Sequence, residues 1–171
     1  MDTKTLRKRY AARIHDLPIP IPFDVQIFTA TVADRRGRPI VLQPMALRGE
    51  PFGAWIEEPS VDVVFYEQRT TPLHQQHIIL HELGHILCGH RGIDADELTP
   101  SPSLGTGRSS ERLRASRGGR YTAAEEREAE MIATLILTRV TAAQASSTDP
   151  NPDVADTLRL LDSLEGLNDG E

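Results

Sequence analysis

A chain of 171 residues has room for one domain of ordinary size, not for two joined by a linker. Its composition, 39% hydrophobic, 26% charged and only 5% aromatic, describes a soluble globular protein with an aliphatic core. The 19 basic and 25 acidic side chains leave a net charge of −6, which argues against holding nucleic acid by bulk charge, and the single cysteine excludes an internal disulfide framework or a multi-cysteine zinc module.

The N-terminus is basic and no apolar stretch follows it, so no secretory signal is expected. No run approaches the roughly eighteen apolar residues of a membrane span. The expected setting is therefore a reducing cytoplasm, with Cys88 as a free thiol. Residues 3–15 suit a short basic helix, after which Pro18, Pro20 and Pro22 impose an extended connector, so residues 1–22 read as a basic N-terminal helix and a Pro-rich connector. From residue 23 to 36, Phe23, Ile27, Phe28, Ala30 and Val32 recur at roughly helical spacing, with Gly37 as the stop. Three β-like runs follow at 39–43, 52–57 and 61–66. Gly49-Glu50-Pro51 and Glu58-Pro59-Ser60 separate them as turns, which predicts a short, mostly antiparallel three-stranded sheet.

Thr71-Pro72 then supplies an N-cap with proline at the first helical position. The helix it opens should run to about Gly89. Ile78, Ile79, Leu80, Leu83, Ile86 and Leu87 make it apolar nearly all round, the pattern of a central, buried helix. Residues 92–120 lack periodicity and read as a mobile loop. Thr122 and Glu125 form a capping box that opens another helix, apolar at Ala129, Ile132, Ala133, Ile136, Leu137 and Val140. Residues 142–152 are small and polar, and a last amphipathic segment carries Val154, Leu158, Leu161 and Leu164. The fold class is α+β, with the compact domain over residues 23–140 and a tail over 141–171.

Five of the six histidines fall between residues 74 and 90. Within that cluster, His81-Glu82-Leu83-Gly84-His85 is an H-E-x-x-H match inside the expected helix. Residues four apart stand one turn above each other, so both imidazoles can reach one metal ion. Glu82 is placed to reach a metal-bound water instead, whose pKa zinc lowers towards ~7. The same carboxylate can pass the proton on to the departing amine. Chance would produce such a match roughly 0.02 times in a chain of this composition. The bland alternative, a helix that buries two imidazoles and a carboxylate with no metal, is expensive.

A catalytic zinc needs a third protein ligand and an open position. The extended form H-E-x-x-H-x-x-G-x-x-H fails here, because Cys88 stands at its glycine position and Arg91 at its last histidine. The remaining source is a carboxylate from the later helix, where Glu126, Glu128 and Glu130 lie close together.

The run Ile-Ile-Leu-His81-Glu82-Leu-Gly84-His85-Ile-Leu, followed by Glu126-x-Glu128-Ala129-Glu130-x-Ile132-Ala133, resembles the ImmA/IrrE metallopeptidases. These are compact cytoplasmic zincins, and the resemblance covers about residues 25–140. It implies a zinc-dependent endopeptidase with one Zn2+, and it places the glutamate ligand three residues before the alanine, on Glu126. Where the family usually has Asp or Asn after that alanine, this chain has Glu130, long enough either to orient a ligand histidine from behind or to compete for the metal, and Glu128 is the reserve ligand. The implied substrate is a protein partner, commonly a helix-turn-helix repressor, with no direct nucleic-acid or membrane binding by this chain. Two other classes stay open: a regulatory or sensor protein that keeps the fold without proteolysis, and a metal-stabilised, toxin-like half of a two-gene module.

Around the motif, His77 and His74 lie near one face of the helix, and His77 is a candidate substrate contact, as is Tyr121 before the later helix. Cys88 reads as core packing and His90 as a cation at the helix end. Lys4, Arg7, Lys8 and Arg9, and Arg108, Arg112, Arg114, Arg117 and Arg120, read as solvated charge.

Overall fold

In a computed structural model, residues 3–46, 52–94 and 121–148 are described. The turn at 49–51, the expected loop beyond residue 94, its arginines and the amphipathic segment from Val154 lie outside the described residues. The elements run α1 (Thr3–Ile14), α2 (Val25–Arg36), β1 (Ile40–Met45), β2 (Gly53–Glu57), β3 (Asp62–Glu67), α3 (Pro72–Cys88), β4 (Ile93–Asp94) and α4 (Ala123–Thr148). The class is α+β, with four helices and one mixed sheet among the described residues. None of these helices is long and apolar enough to cross a membrane.

Local signals set the helix ends. Asp24 caps α2 by accepting from the backbone N–H groups of Gln26 and Ile27, and Gly37 closes it in the left-handed conformation at φ 75°. Thr71 caps α3 by accepting from the N–H of His74, Pro72 occupies its first turn, and Gly89 ends it at φ 76°. Thr122 and Glu125 form the reciprocal capping box at the start of α4, at 2.8 and 3.2 Å. In α2 the inward face is Phe28, Thr29 and Val32, while Ile27 and Ala30 face out. Thr29 is buried without a penalty because its hydroxyl donates to the Val25 carbonyl.

Two expectations need correction. The sheet has four strands in the order β1-β3-β2-β4, not three, and only β2–β3 is antiparallel; β1–β3 and β2–β4 are parallel. The β2–β3 hairpin forms through the turn at Glu58, whose N–H donates to the Val61 carbonyl, but β3 inserts between β1 and β2. Strand β4 is two residues long, too short to show a period. The second correction is that α4 continues past Val140 to Thr148, through the stretch read as small and polar and across the expected start of the tail. Ala142, Ala143, Gln144 and Ala145 are strong helix formers, and their lack of an apolar stripe hides a solvated helical end.

The main core joins Tyr10, Ile14 and Leu17 of the α1 region to Phe28 and Val32 of α2, Trp55 and Val64 of the sheet, and the apolar faces of α3 and α4. On the other face of the sheet, Ala54 and Ile56 pack with Ile93 of β4. Strand β2 is therefore covered on both faces. Arg13 of α1 donates to the Leu87 carbonyl near the end of α3, and Arg139 of α4 donates to the Ile14 carbonyl, so both helix ends find donors across the core.

One buried polar cluster holds α2 to the sheet. The Asp62 carboxylate is fully buried and accepts from the Trp55 indole N–H at 3.0 Å and from Arg36 Nε. Arg36 also donates to Glu57 at 3.0 Å and lies 4.9 Å from the Trp55 ring centre. Replacing Asp62 by alanine takes the buried acceptor from the Trp55 N–H and Arg36 Nε and should lower stability by about 3 kcal/mol. Urea unfolding of Asp62→Ala at neutral pH measures this, and a loss below about 1 kcal/mol would show that the cluster is dispensable.

Candidate metal centre

Helices α3 and α4 approach closely because both are small where they meet. A Cβ on Gly84 would lie 2.7 Å from the Ala129 carbonyl oxygen and 3.0 Å from its Cα. Gly84 sits between the two motif histidines, and Ala129 lies one turn after Glu126. The contact therefore brings the carboxylate of one helix to the imidazoles of the other.

Three donor atoms converge there. His81 Nε2 is 3.1 Å from Glu126 Oε2 and 3.1 Å from His85 Nε2, and His85 Nε2 is 3.7 Å from Glu126 Oε2. For metal–ligand bonds of about 2.0–2.1 Å, the edge of a tetrahedron is about 3.3–3.4 Å. The observed triangle brackets that edge, so the three groups could hold a metal ion. His85 is fully buried, while the Glu126 side chain is 44% exposed, so the group opens to solvent on the carboxylate side.

The other nitrogens of both histidines are engaged. His81 Nδ1 lies 3.4 Å from Glu130 Oε2, and the same oxygen is 3.3 Å from His77 Nε2. Glu130 thus stands behind His81, on the nitrogen turned away from Glu126. His85 Nδ1 lies 2.8 Å from His90 Nδ1, and His90 Nε2 lies 3.2 Å from Glu128 Oε2. Glu128, the reserve ligand, is therefore brought to His90 and not to the His81–His85–Glu126 triangle. Cys88, His90 and Glu128 form a second group whose donor atoms lie within 4.8 Å of one another. The Glu128 carboxyl is held below its ordinary range, first by the Tyr10 hydroxyl and then by His90. Burial and then the nearby Glu128 push the Tyr10 phenol up to about 12.

His90 is the residue whose place the sequence did not disclose. Its backbone closes the α3 cap, as a residue past the helix end should, but its ring folds back onto His85. Tyr121 stacks on His85: the two ring centres lie 3.7 Å apart at 19°, which holds the imidazole plane.

Glu82 is almost fully buried and lines, with His81, a cleft of about 270 Å³ that also includes Phe52, Gly53, His74, His77 and Ile78. Gly53 at the start of β2 is needed for this wall, since a Cβ there would lie 2.5 Å from Ile78 Cγ2 and 2.9 Å from Glu82 Oε1. His74 is held by Thr70 at 2.7 Å and stands edge-on to Phe52. A larger cavity of about 500 Å³ beside Tyr10, Glu128 and Met131 includes neither Glu82 nor any of the three converging donors. The smaller cleft is the one that adjoins the converging donors, through His81.

No protein-family model matches the chain, and neither a curated protein nor a solved structure matches it significantly.

Gly84→Ala adds a methyl group against backbone, where nothing flexible can yield. The gain in helix propensity, about 1 kcal/mol, should be outweighed by an overpacking cost of about 1–3 kcal/mol, with α4 displaced from α3. Thermal melting and Zn2+ affinity should both fall; an unchanged affinity would show that the donors do not depend on this contact. The Cys88 thiol is pushed up to about 11 by burial and then by Glu128, so little thiolate forms near neutral pH. Alkylation of the folded chain at pH 8 should be about 100-fold slower than after unfolding, and equal rates would contradict that environment.

Proposed function

We propose that this protein is a zinc-dependent metallo-endopeptidase of the zincin class, with His81, His85 and Glu126 as metal donors and Glu82 as the proton carrier. The triangle of two imidazole nitrogens and one carboxylate oxygen carries this reading. Three lone-pair donors pointed at one space repel one another, and a cation between them turns that cost into binding. A His2Glu set suits Zn2+, and its more exposed carboxylate corner leaves room for a further ligand. The resemblance of the H-E-x-x-H run and the later Glu-x-Glu-Ala run to ImmA/IrrE metallopeptidases supports the same assignment.

A zinc ion held there supplies a Lewis acid that acidifies water and polarises a peptide carbonyl. The chain's own residues then define the rest. Glu82 follows His81 on α3 and faces the cleft, so its carboxylate takes a proton from the attacking water as the new C–O bond forms. It returns that proton to the amide nitrogen as the C–N bond breaks, and the amine leaves neutral. Glu130 and His90 hold the outer nitrogens of the two histidines, which keeps the inner nitrogens turned to the donor triangle. Phe52, His74 and His77 line the cleft beside Glu82, and in this reading His77 is the contact for a bound peptide. The partner suggested by the resemblance is a helix-turn-helix repressor in the cytoplasm, whose cleavage would relieve repression.

The test combines zinc content with cleavage of a helix-turn-helix regulator encoded beside the protein. The unsubstituted chain should bind one equivalent and cleave. Glu82→Gln should keep the metal and lose about 10²–10⁴-fold in rate. His81→Ala and Glu126→Ala should lose the metal. Cleavage by Glu82→Gln at the full rate would remove Glu82 from its role, and full zinc retention by Glu126→Ala would move the third ligand elsewhere. A stable complex with the regulator left intact would favour the sensor reading instead.

A further inference from the structure

His90 and Glu128 lie outside the donor triangle, yet they form a continuous chain with it. The left-handed turn at Gly89 brings the His90 N–H to the His85 carbonyl at 3.0 Å and turns the ring inward. The His90 side chain is 7% exposed, so its two nitrogen contacts are largely shielded from water. They join His85 Nδ1 at 2.8 Å and Glu128 Oε2 at 3.2 Å.

Two ring nitrogens 2.8 Å apart share one proton: one donates and the other accepts. The carboxylate at the far end can only accept, so His90 Nε2 carries a proton and donates to Glu128. A neutral His90 then has a bare Nδ1, which must accept from Nδ1–H of His85. That leaves His85 Nε2 unprotonated, turned towards His81 and Glu126. The reverse order would put the proton on His85 Nε2, where it would block the lone pair needed for a metal.

We propose that His90 and Glu128 are positioning residues that fix His85 in its Nδ1–H tautomer, and that Cys88, His90 and Glu128 are the outer part of one metal centre and not a second one. The inference rests on the reading of His81, His85 and Glu126 as metal donors. A metal on His90 Nε2 would move the proton of a neutral His90 to Nδ1, directly against Nδ1–H of His85. The 2.8 Å gap has room for one of these protons, so the two donor groups exclude each other while both rings stay neutral.

The test is a competition titration of the full chain with Zn2+ against a chelator, paired with ¹⁵N-histidine spectra of the loaded protein. The unsubstituted chain and Cys88→Ala should each bind one equivalent with equal affinity, and His90 should show the Nε2–H tautomer. His90→Phe keeps bulk but removes the acceptor, and should weaken binding about 10–100-fold. His90→Gln, with one acceptor and one donor, should recover most of that loss. Glu128→Ala, at the more exposed end of the chain of contacts, should weaken binding several-fold and keeps the question open to measurement if His90→Phe does not fold. A second zinc equivalent that disappears in Cys88→Ala, an Nδ1–H tautomer at His90, or unchanged affinity in both folded variants would overturn the inference alone. No zinc binding by the unsubstituted chain would overturn the metal centre itself, and this inference with it.

Discussion

The close approach of α3 and α4 at Gly84 and Ala129 is the constraint on which the site depends. Helices carrying ordinary side chains pack about 8–10 Å apart, and a glycine facing an alanine allows the lower end of that range. At that separation a glutamate on one helix can reach imidazoles on the other. The turn of about 100° per residue then distributes the acids of α4 around Ala129. Glu126 and Glu130 fall to one side and meet the two nitrogens of His81, while Glu128 falls to the other side and meets His90. One helix contact therefore sorts three neighbouring glutamates into three different positions.

The sheet supplies the opposing wall of the cleft, and its placement depends on a buried ion pair. Asp62 ties Arg36 of α2 and the Trp55 indole of β2 to the first residue of β3. The carboxylate has no exposure, and its desolvation is offset because the guanidinium groups of Arg36 and Arg38 and the Trp55 N–H meet it together. Trp55 in turn sets where β2 lies against α3, and Gly53 at the head of that strand lets Ile78 and Glu82 come close. Gly92 repeats the device at the other end of β2, where a Cβ would lie 2.9 Å from the Trp55 ring, and its N–H donates to Glu57. Small residues thus mark the places where the site needs two backbones, or a backbone and a side chain, unusually close.

The interior around the motif helix is polar in a way an aliphatic core seldom tolerates. His85 and Glu82 are both almost completely buried, and neither imidazole of the motif stands alone. Each has its own carboxylate behind it, directly from Glu130 for His81 and through His90 for His85. The arrangement divides the groups between an inner set that points lone pairs at one space and an outer set that fixes which nitrogens carry protons.

The presence of the helices, the Thr71 and Thr122 caps, the Gly37 and Gly89 stops and the H-E-x-x-H pair were legible in the sequence because each depends on residues within one or two turns of one another. Four-residue spacing on a helix fixes the relation of His81 to His85 whatever surrounds them, and the Thr122–Glu125 box is equally local. The expected acids of the later helix were also in view, yet which of them meets which histidine was not. That choice, the ring direction of His90, the two parallel strand pairings and β4 arise between segments far apart in the chain. They depend on how closely Gly84 and Ala129 let two helices approach and on which strand the Asp62 cluster draws to the middle of the sheet. Backbone geometry within one element determines the first kind of feature from sequence alone, and packing between elements decides the second only once the tertiary structure has formed.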